Sequence, residues 1–343
     1  MQKKMLLILM ITVVFTCCSP VRADSTSSPQ ADGTTVLPST MVRAAGYSLE
    51  MIDPIIGKLG NPVGVKSYKP YHSTGEDFLH NFVGMCGAPM DLMPEFPAEA
   101  NMIFLTESAK FDRDIVKKIK GQLMAGKTVM ITSGLLKALQ GKAGGIEDIV
   151  EVECTDNKAV TNQFWSRRSF WGRQGSTYES KAPIIIPEIK YLTNDSWEEV
   201  SCLASGIGYP ILHSADYGKG RLYILTIPDN FGDLYNYPAE VLNQIREVLA
   251  KDMYVRIEGP SQVAIFVYDN DTFIVESFLD KPTDVRVVID KRIDKLRDLV
   301  TGEEVAGELI TPPVRRFGPT IQATKMGFNL TIKPHSFRVF KGE

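Results

Sequence analysis

The pattern of apolar and polar residues is most regular between Asn101 and Gly134. Asn101–Thr106 is an almost unbroken apolar run, which predicts a strand covered on both faces of a sheet. Every fourth residue from Ile115 to Leu123 is apolar, which predicts a helix with one buried face. Lys127–Ile131 predicts a second strand, and it ends at Thr132-Ser133-Gly134. This segment therefore predicts a strand-helix-strand unit whose carboxyl edge is where open α/β proteins usually bind ligands.

The flanking segments extend this alternation of strands and helices. A capping-box pattern from Ser73 to Glu76 predicts the start of a helix that runs through Val83. We predict further strands at Pro62–Tyr68, Pro89–Met93, Ala182–Ile186 and Arg221–Ile227, and a closing helix at Ala239–Ala250. The order indicates that residues 45–252 form a flavodoxin-like α/β domain, with a mostly parallel sheet and helices on both faces.

From about Met253 the pattern changes to short alternating strands separated by turn residues. Leu299–Glu303 is typical of a hairpin between two such strands. We therefore predict that residues 253–343 form a small all-β antiparallel sandwich.

The amino terminus has the features of an export signal. Met1–Lys4 is basic, and the apolar stretch Met5–Thr16 falls short of the ~20 residues that a membrane-spanning helix needs. We predict a signal peptide at residues 1–23, a flexible linker at residues 24–44, and export to the periplasm or cell surface of a bacterium. Lipidation at Cys17 or Cys18, which would produce a surface lipoprotein and bring the protein to the membrane, is the alternative.

Charge and composition narrow the classes of partner. The chain has 38 basic and 41 acidic side chains, a formal net charge of −3, and signal cleavage would make it more negative. This charge disfavours nucleic acid as a partner. Cys86, Cys154 and Cys202 allow at most one disulfide, and they lack the paired spacing of metal sites. We expect no cofactor and no metal.

Two later segments, Gly208–His213 and Tyr217–Tyr223, complete a family resemblance that begins with Asn101–Gly134. In this order the chain resembles a class I glutamine amidotransferase-like domain, in the version that serves as the trimerisation domain of glycoside hydrolase family 42 β-galactosidases and related secreted glycosidases. Asp298–Glu303 and Leu330–Phe340 are similar to their terminal β-domain. The resemblance starts near residue 45, does not include the barrel that carries the catalytic carboxylates, and implies self-association.

The same resemblance implies where a nucleophile would lie. Catalytic amidotransferases have a cysteine on the turn after the strand that corresponds to Val129–Ile131, whereas here that turn holds Ser133 and no thiol. Ser133, His213 and Glu107, which follows the strand at Asn101–Thr106, are weak catalytic candidates. For His213 the favoured interpretation is an ordinary hydrogen-bonded surface histidine, and for Glu107 it is a residue that caps a loop by accepting backbone hydrogen bonds.

Residues Gln163–Arg173 interleave aromatic and guanidinium side chains, a composition suited to sugar rings, acidic sugars or another subunit. The candidate ligand- or partner-binding residues are Trp165, Arg167, Arg168, Trp171, Tyr235 and Tyr237. An oligomer interface is favoured over carbohydrate, and a loop folded over the sheet is the third interpretation.

These observations predict an exported, non-catalytic accessory protein that forms a homo-oligomer or binds carbohydrate or a carbohydrate-active partner. The alternative is a glycan or amide hydrolase with its site at the carboxyl edge of the α/β sheet, and a surface carbohydrate-binding lipoprotein is a third hypothesis.

Overall fold

The computed structural model describes residue 46, residues 49–50, 52–141, 145–166, 176–310 and 324–343. The predicted signal peptide and linker lie outside this range, as do Arg167, Arg168 and Trp171. Within the range, strands account for 46% of the residues and helices for 21%. The protein is therefore mainly β.

The strands form three sheets, of nine, six and four strands. The nine-stranded sheet has the order β3-β2-β4-β5-β10-β9-β8-β6-β7, the six-stranded sheet β1-β12-β13-β19-β15-β16, and the four-stranded sheet β11-β14-β18-β17. The strands are β1 (Pro62–Val63), β2 (Val65–Tyr68), β3 (Met90–Met93), β4 (Met102–Leu105), β5 (Thr128–Thr132), β6 (Val152–Ser166), β7 (Ser176–Tyr191), β8 (Ser196–Ala204), β9 (Ile207–Tyr217), β10 (Gly220–Leu225), β11 (Val255–Glu258), β12 (Val263–Tyr268), β13 (Thr272–Ser277), β14 (Thr283–Asp290), β15 (Lys295–Asp298), β16 (Glu304–Ala306), β17 (Glu308–Leu309), β18 (Lys325–Ile332) and β19 (Ser336–Gly342).

The helices are few and short. Residues 52–56 are helical. The remaining α-helices are α1 (Leu79–Met85), α2 (Ile115–Met124), α3 (Ser133–Leu139) and α4 (Ala239–Leu249), and 3₁₀ turns span Glu107–Phe111, Ile146–Asp148 and Phe231–Asn236. No helix among the described residues combines the length and apolar character needed to cross a bilayer.

One half of the nine-stranded sheet is parallel. Strands β3, β2, β4, β5 and β10 all run in the same direction. The apolar runs that predicted β4 and β5 are fully buried because helices cover both faces of this half. Helices α1 and α4 pack on one face, and α2 and α3 pack on the other.

The predicted flavodoxin-like fold class is wrong for the protein as a whole. Beyond β10, the sheet continues through β9, β8, β6 and β7, which are all antiparallel to their neighbours. Strands β6 and β7 have 15 and 16 residues and pair as one long hairpin. Parallel strands need crossovers, usually helices, whereas antiparallel strands can be joined by turns. The described residues between 152 and 225 therefore add strands without adding helices, so the sheet is mixed.

The other two sheets form a β-sandwich-like unit, as the alternating pattern predicted. Apolar side chains of both sheets make one core, which includes Phe273, Phe328 and Phe340. The predicted hairpin is also confirmed, because β15 and β16 pair in antiparallel register on either side of residues 299–303. Gly302 lies in this turn with a φ of 76°, a left-handed conformation that glycine adopts at little cost.

A buried guanidinium is one of the groups that connect the sandwich to the helix α4 packed on the nine-stranded sheet. Arg246 on α4 is 2% exposed and donates hydrogen bonds to the carbonyl oxygens of Cys86, Gly259 and Pro260. Buried charge is tolerated only where its donors are satisfied. Arg246 thus ties α4, the end of α1 and the loop after β11 together.

Candidate functional site at the carboxyl edge of the parallel strands

Three chain segments meet where the parallel strands end. The loop after β2 carries Glu76, the 3₁₀ turn after β4 carries Glu107, and β5 ends at Thr132. Because the carboxyl ends of parallel strands lie at one edge of a sheet, these side chains come together although they are far apart in the sequence.

The Glu76 carboxylate is the centre of this edge. Its Oε2 atom accepts a hydrogen bond from Thr132 Oγ1 at 2.6 Å and another from the Glu107 backbone amide at 2.7 Å. Thr132 Oγ1 in turn accepts a hydrogen bond from the Leu135 amide at 3.1 Å, which caps α3. One carboxylate therefore holds the ends of β4 and β5 and the first turn of α3 in register.

The backbone around the edge is shaped to admit this carboxylate. Glu76 has a φ of 49°, a conformation that costs energy for residues other than glycine. A Cβ atom at Gly134 would lie 2.4 Å from Glu76 Oε1, and a Cβ atom at Gly75 would lie 3.0 Å from Glu107 Cδ. Glycine is therefore required at both positions if the two carboxylates are to stay where they are.

The surroundings of Glu76 make its carboxyl group easier to protonate than that of an exposed glutamate. Burial raises the pKa of the Glu76 carboxyl to about 7, and the nearby charge of Glu107 adds to the rise. Hydrogen bonds from Thr132 and from the Glu107 amide oppose it. Glu76 is thus a carboxyl that can hold or release a proton near neutral pH, which is the property of a general acid or base.

Two of the predicted catalytic residues lie at or next to this edge. Glu107 forms an ion pair with Lys110, with Oε1 at 2.5 Å from Nζ, and its side chain is 29% exposed. Ser133 is 2% exposed, and its Oγ accepts a hydrogen bond from the Ile227 amide at 3.0 Å. The Ser133 hydroxyl oxygen therefore joins α3 to the end of β10. Both residues remain untested as catalytic groups.

The third catalytic candidate, His213, lies inside the antiparallel half. It is fully buried in β9, beside Ile224 of β10, and its ring packs against Tyr191 with centroids 5.0 Å apart. Neither ring nitrogen has a hydrogen-bond partner among the described residues, so the favoured interpretation of His213 as a hydrogen-bonded surface histidine is wrong. Burial lowers the pKa of His213 to about 4. The structure does not bring this histidine to Glu76 or Ser133.

Three of the predicted ligand-binding aromatic residues, Trp165, Tyr235 and Tyr237, lie within the described part of the chain. Trp165 is half-buried near the end of β6. Tyr235 packs against Phe82, with ring centroids 5.5 Å apart, and Tyr237 is 4% exposed and packs against Phe164. Both tyrosines contribute to the core between the sheet and α4. Their ligand-binding role is a prediction that no contact in the structure tests.

The three described cysteines are buried free thiols. Burial raises the pKa to about 12 for Cys86, about 11 for Cys154 and about 12 for Cys202. Thiols with such pKa values are poor nucleophiles because the reactive thiolate is scarce at neutral pH. Across the described part of the chain, no group of histidine, cysteine and acidic side chains has metal-binding geometry.

Glu76 was missed as a site residue because its position fits a capping box. In the structure α1 starts at Leu79, and its N-cap residue Phe78 makes no side-chain capping bond. The carboxylate points instead across the sheet edge to residues 31 and 56 positions further along the chain. The available signal was the location of Glu76 between a strand and a helix, at the same edge as Thr132.

Comparisons with known families match the two parts of the chain separately. Residues 60–230 match the family model described as "Uncharacterized protein SSO3021, second domain". Residues 254–342 match the model described as "Probable glycosyl hydrolase, C-terminal domain". No curated protein matches the chain.

Several solved structures resemble it. α-L-Fucosidase isoenzyme 2 from Paenibacillus thiaminolyticus superposes with a TM-score of 0.51 at 10% identity, over 90% of this chain and 53% of the fucosidase. A β-galactosidase from Bacillus circulans sp. alkalophilus superposes with a TM-score of 0.49 at 14% identity, over 92% of this chain and 46% of the β-galactosidase. A catalytic mutant of Gan42B, a GH42 β-galactosidase from G. stearothermophilus, superposes with a TM-score of 0.47 at 14% identity, over 89% of this chain and 44% of Gan42B.

The chain thus spans about half the length of these three solved structures. At these identities the likeness concerns the fold alone. The predicted resemblance to glycosidases is confirmed at that level, whereas the amidotransferase-like assignment stays a prediction. The chain is similar in fold to part of a glycosidase, and its C-terminal residues are similar to a glycosyl hydrolase C-terminal domain.

Proposed function

We propose that the protein is an exported, non-catalytic accessory module of carbohydrate processing, with an amidotransferase-like first domain, that associates with copies of itself or with a glycosidase. The similarity to glycosidase domains supports the setting. One observation supports a non-catalytic role. At the carboxyl edge, where this type of fold would have its catalytic residues, the polar side chains hydrogen-bond to other groups of the chain.

The edge lacks the parts of the reactions that the fold suggests. Amidotransfer needs a thiolate on the turn after β5, and the described thiols are buried elsewhere and have raised pKa values. A serine nucleophile needs a base, and His213 lies in the interior of the antiparallel half. The edge therefore serves as a structural junction that keeps β4, β5 and α3 in place.

Two measurements test this function together. We expect the chain from Asp24 onward to sediment as a species larger than a monomer and to show no turnover in a panel of aryl glycosides and esters. A strict monomer that retains neither a sugar nor a glycosidase partner would contradict the proposal. Mass analysis of the exported protein tests its location, because a mature terminus at Asp24 excludes lipidation at Cys17 or Cys18.

A hydrolase acting on a glycan or amide is the second candidate function. It is favoured by one observation, the Glu76 carboxyl with a pKa of about 7 next to the acidic Glu107. A pair of neighbouring carboxyl groups is what most glycoside hydrolases use for hydrolysis. Turnover that disappears in Glu76→Gln and in Glu107→Gln, but not in Ser133→Ala, would establish this function and overturn the first.

A further inference from the structure

A row of paired side chains crosses strands β8, β9 and β10 of the nine-stranded sheet. Trp197 of β8 pairs with Ser214 of β9, and Ser214 pairs with Tyr223 of β10. Directly paired residues on neighbouring strands lie on the same face of a sheet. The row therefore places two aromatic rings two strands apart, with one small side chain between them.

Both aromatic side chains are accessible from solvent. Trp197 is 43% exposed, and Tyr223 is half-buried because part of it packs against the core beneath α4. Ser214 is 1% exposed and much smaller than either ring, so the surface between the rings is lower than the rings themselves. Neighbouring strands lie about 4.8 Å apart, so the two aromatic residues start from backbone positions about 10 Å apart.

Planar polar side chains lie between and beside the rings. Glu199 Oε1 accepts a hydrogen bond from Ser214 Oγ at 2.8 Å. Arg221 donates two hydrogen bonds to Asp216, at 2.7 and 3.2 Å, and the two side chains are 45% and 53% exposed. Arg221 lies two residues before Tyr223 on β10, so it occupies the same face of the sheet.

The charges of this face narrow the class of ligand. It carries two carboxylates, Glu199 and Asp216, and one guanidinium, Arg221, which disfavours an anionic ligand. The centres of protein interfaces are depleted of charged side chains, whereas here a carboxylate lies between the two rings. The face therefore favours a ligand with apolar ring faces, with hydroxyl groups that donate and accept hydrogen bonds, and without negative charge.

We propose that this face, formed by Trp197, Glu199, Ser214, Asp216, Arg221 and Tyr223, binds a neutral, extended β-1,4-linked glycan that lies across the strands. One pyranose ring packs on Trp197, and the ring two units further along the glycan packs on Tyr223. Two units of such a glycan span about the same distance as two strand spacings. The C–H faces of the sugars contact the aromatic rings, and their hydroxyl groups bind the carboxylates and the guanidinium.

The inference rests on the carbohydrate part of the proposed function and gives it a ligand class and a location. That location is separate from Trp165 and from the Glu76 edge. It requires a glycan of at least three units, because a disaccharide cannot reach both rings.

Four variants test the two rings one at a time. Trp197→Ala and Tyr223→Ala each remove a ring, whereas Trp197→Tyr and Tyr223→Phe each keep an aromatic face. Tyr71→Ala, which removes a 75% exposed aromatic side chain from the loop after β2, is the control for losing an exposed ring elsewhere. Thermal unfolding of each variant verifies that it is folded at the temperature of the titration.

The experiment is a calorimetric titration of the purified full chain with β-1,4-linked mannotetraose and cellotetraose, with their disaccharides, and with tetramannuronate. We expect a neutral tetrasaccharide to bind, and its disaccharide to bind about tenfold more weakly or worse, a change of about 1.4 kcal/mol. Tetramannuronate differs from mannotetraose by its carboxylates, and it should bind more weakly or not at all.

The variants should follow the two-ring arrangement. Trp197→Ala should weaken binding of the tetrasaccharide by about tenfold and Tyr223→Ala by about fivefold, since each removes one of two ring contacts. Trp197→Tyr and Tyr223→Phe should stay within about threefold of the wild type because a ring face remains. Tyr71→Ala should bind as the wild type does.

Several outcomes overturn the inference. Equal affinity for the disaccharide and the tetrasaccharide refutes the two-ring arrangement, and tighter binding of tetramannuronate refutes the ligand class. Binding that survives Trp197→Ala, or that is lost in Trp165→Ala instead, places the glycan elsewhere. Self-association that is lost in Trp197→Ala, in a chain that binds no glycan, assigns this face to a protein interface.

Failure of the inference can be told apart from failure of the proposed function. A chain that binds neither tetrasaccharide but still self-associates or retains a glycosidase refutes the glycan-binding face alone. The absence of all three behaviours refutes the proposed function as well.

Discussion

The carboxyl edge of the parallel half and the interior of the antiparallel half differ in how their polar side chains are hydrogen-bonded. In the parallel half, His80 lies 2.8 Å from Ser67 Oγ, and Thr132 joins Glu76 to the start of α3. In the antiparallel half, His213 and Ser196 have buried polar atoms without partners among the described residues. The hydrogen bonds around Glu76 thus form a connected network at the parallel edge, whereas the antiparallel half combines paired side chains, such as Ser214 with Glu199, with His213 and Ser196, whose polar atoms have no such partner among the described residues.

The difference follows from how each half is built. Loops after parallel strands converge on one edge, so polar side chains from distant segments can satisfy one another. Antiparallel strands joined by tight turns bring mostly their own neighbours together, as in the pairing of Glu198 with His213. Substitutions should therefore cost more at the parallel edge than at the matched positions in the other half.

The largest expected effect concerns the proton on Glu76. Because the native carboxyl has a pKa of about 7 and the ordinary value is 4.5, the native state binds more protons in this window, and stability falls as the pH rises through it. Relative to the wild type, Glu76→Gln should gain roughly 3 kcal/mol of unfolding free energy between these pH values. Urea unfolding at a series of pH values measures the difference.

Glu276 in the sandwich is the comparison for that experiment. Burial alone raises its pKa to about 7, without the hydrogen bonds that surround Glu76. Glu276→Gln should therefore show a pH slope of the same sign. The stability difference from the wild type could depend on pH for Glu276→Gln but not for Glu76→Gln. That result would mean that the hydrogen bonds at the parallel edge keep Glu76 ionised.

The second effect is steric. Gly134→Ala places a methyl group 2.4 Å from Glu76 Oε1, and the carboxylate cannot move away without losing its donors. We expect a loss of about 2 kcal/mol. Gly208→Ala in β9 meets only Glu198, at 4.0 Å, and should change stability by less than about 0.5 kcal/mol.

A double variant separates steric overlap from other effects at Gly134. In a Glu76→Ala background the carboxylate is gone, so Gly134→Ala should cost little more. An undiminished cost in that background would show that the glycine is needed for the backbone of α3 and not for Glu76.

The third effect compares the two buried histidines, whose pKa values are both lowered to about 4 by burial. His80→Leu leaves Ser67 without its partner and should cost about 1.5 kcal/mol at pH 7, whereas His213→Leu should be neutral or stabilising. Because the pKa of each histidine is lower in the folded state than the ordinary 6.5, the unfolded state binds more protons between pH 6.5 and pH 4. Each histidine therefore lowers the stability of the wild type as the pH falls through this window, and the leucine variant at that position lacks this loss. Thermal unfolding at about pH 7 and pH 5 tests this, and a costly His213→Leu would contradict the comparison.

The smallest effect concerns two serines. Ser133→Ala deprives the Ile227 amide of its acceptor and should cost about 1 kcal/mol. Ser196→Ala removes a hydroxyl group that has no partner among the described residues, so it should cost nothing measurable. Equal costs for the two substitutions in urea unfolding would show that the parallel edge is not better satisfied than the antiparallel half.

Sequence patterns located the elements of the parallel half well. Predicted strands at Asn101–Thr106 and Lys127–Ile131 correspond to β4 and β5, and the predicted apolar stripe from Ile115 to Leu123 is the buried face of α2. This succeeded because a strand buried on both faces is apolar throughout and a half-buried helix has a period of about 3.6 residues.

Most of the antiparallel half was not predicted, since only the strand at Ala182–Ile186 falls within it, as part of β7, and the reasons are visible in β6 and β7. Their pairing has register shifts between Cys154 and Lys158 and between Thr161 and Gln163, and such bulges interrupt the two-residue alternation that reveals a strand. Strand β7 also contains Pro183 and Pro187, which edge strands tolerate but which argue against a strand in a sequence pattern.

The amino-acid sequence by itself determined the apolar runs, the helical stripe, the change to short strands near residue 253 and the absence of a thiol after β5. Only the tertiary structure decided that Glu76 is a half-buried carboxyl bonded to Thr132 and not a helix cap, and that His213 lies in the interior of the antiparallel half. Local patterns record which side chains must avoid water. The partner of a buried polar group lies on another element, and its identity is settled only when the chain brings the two elements together.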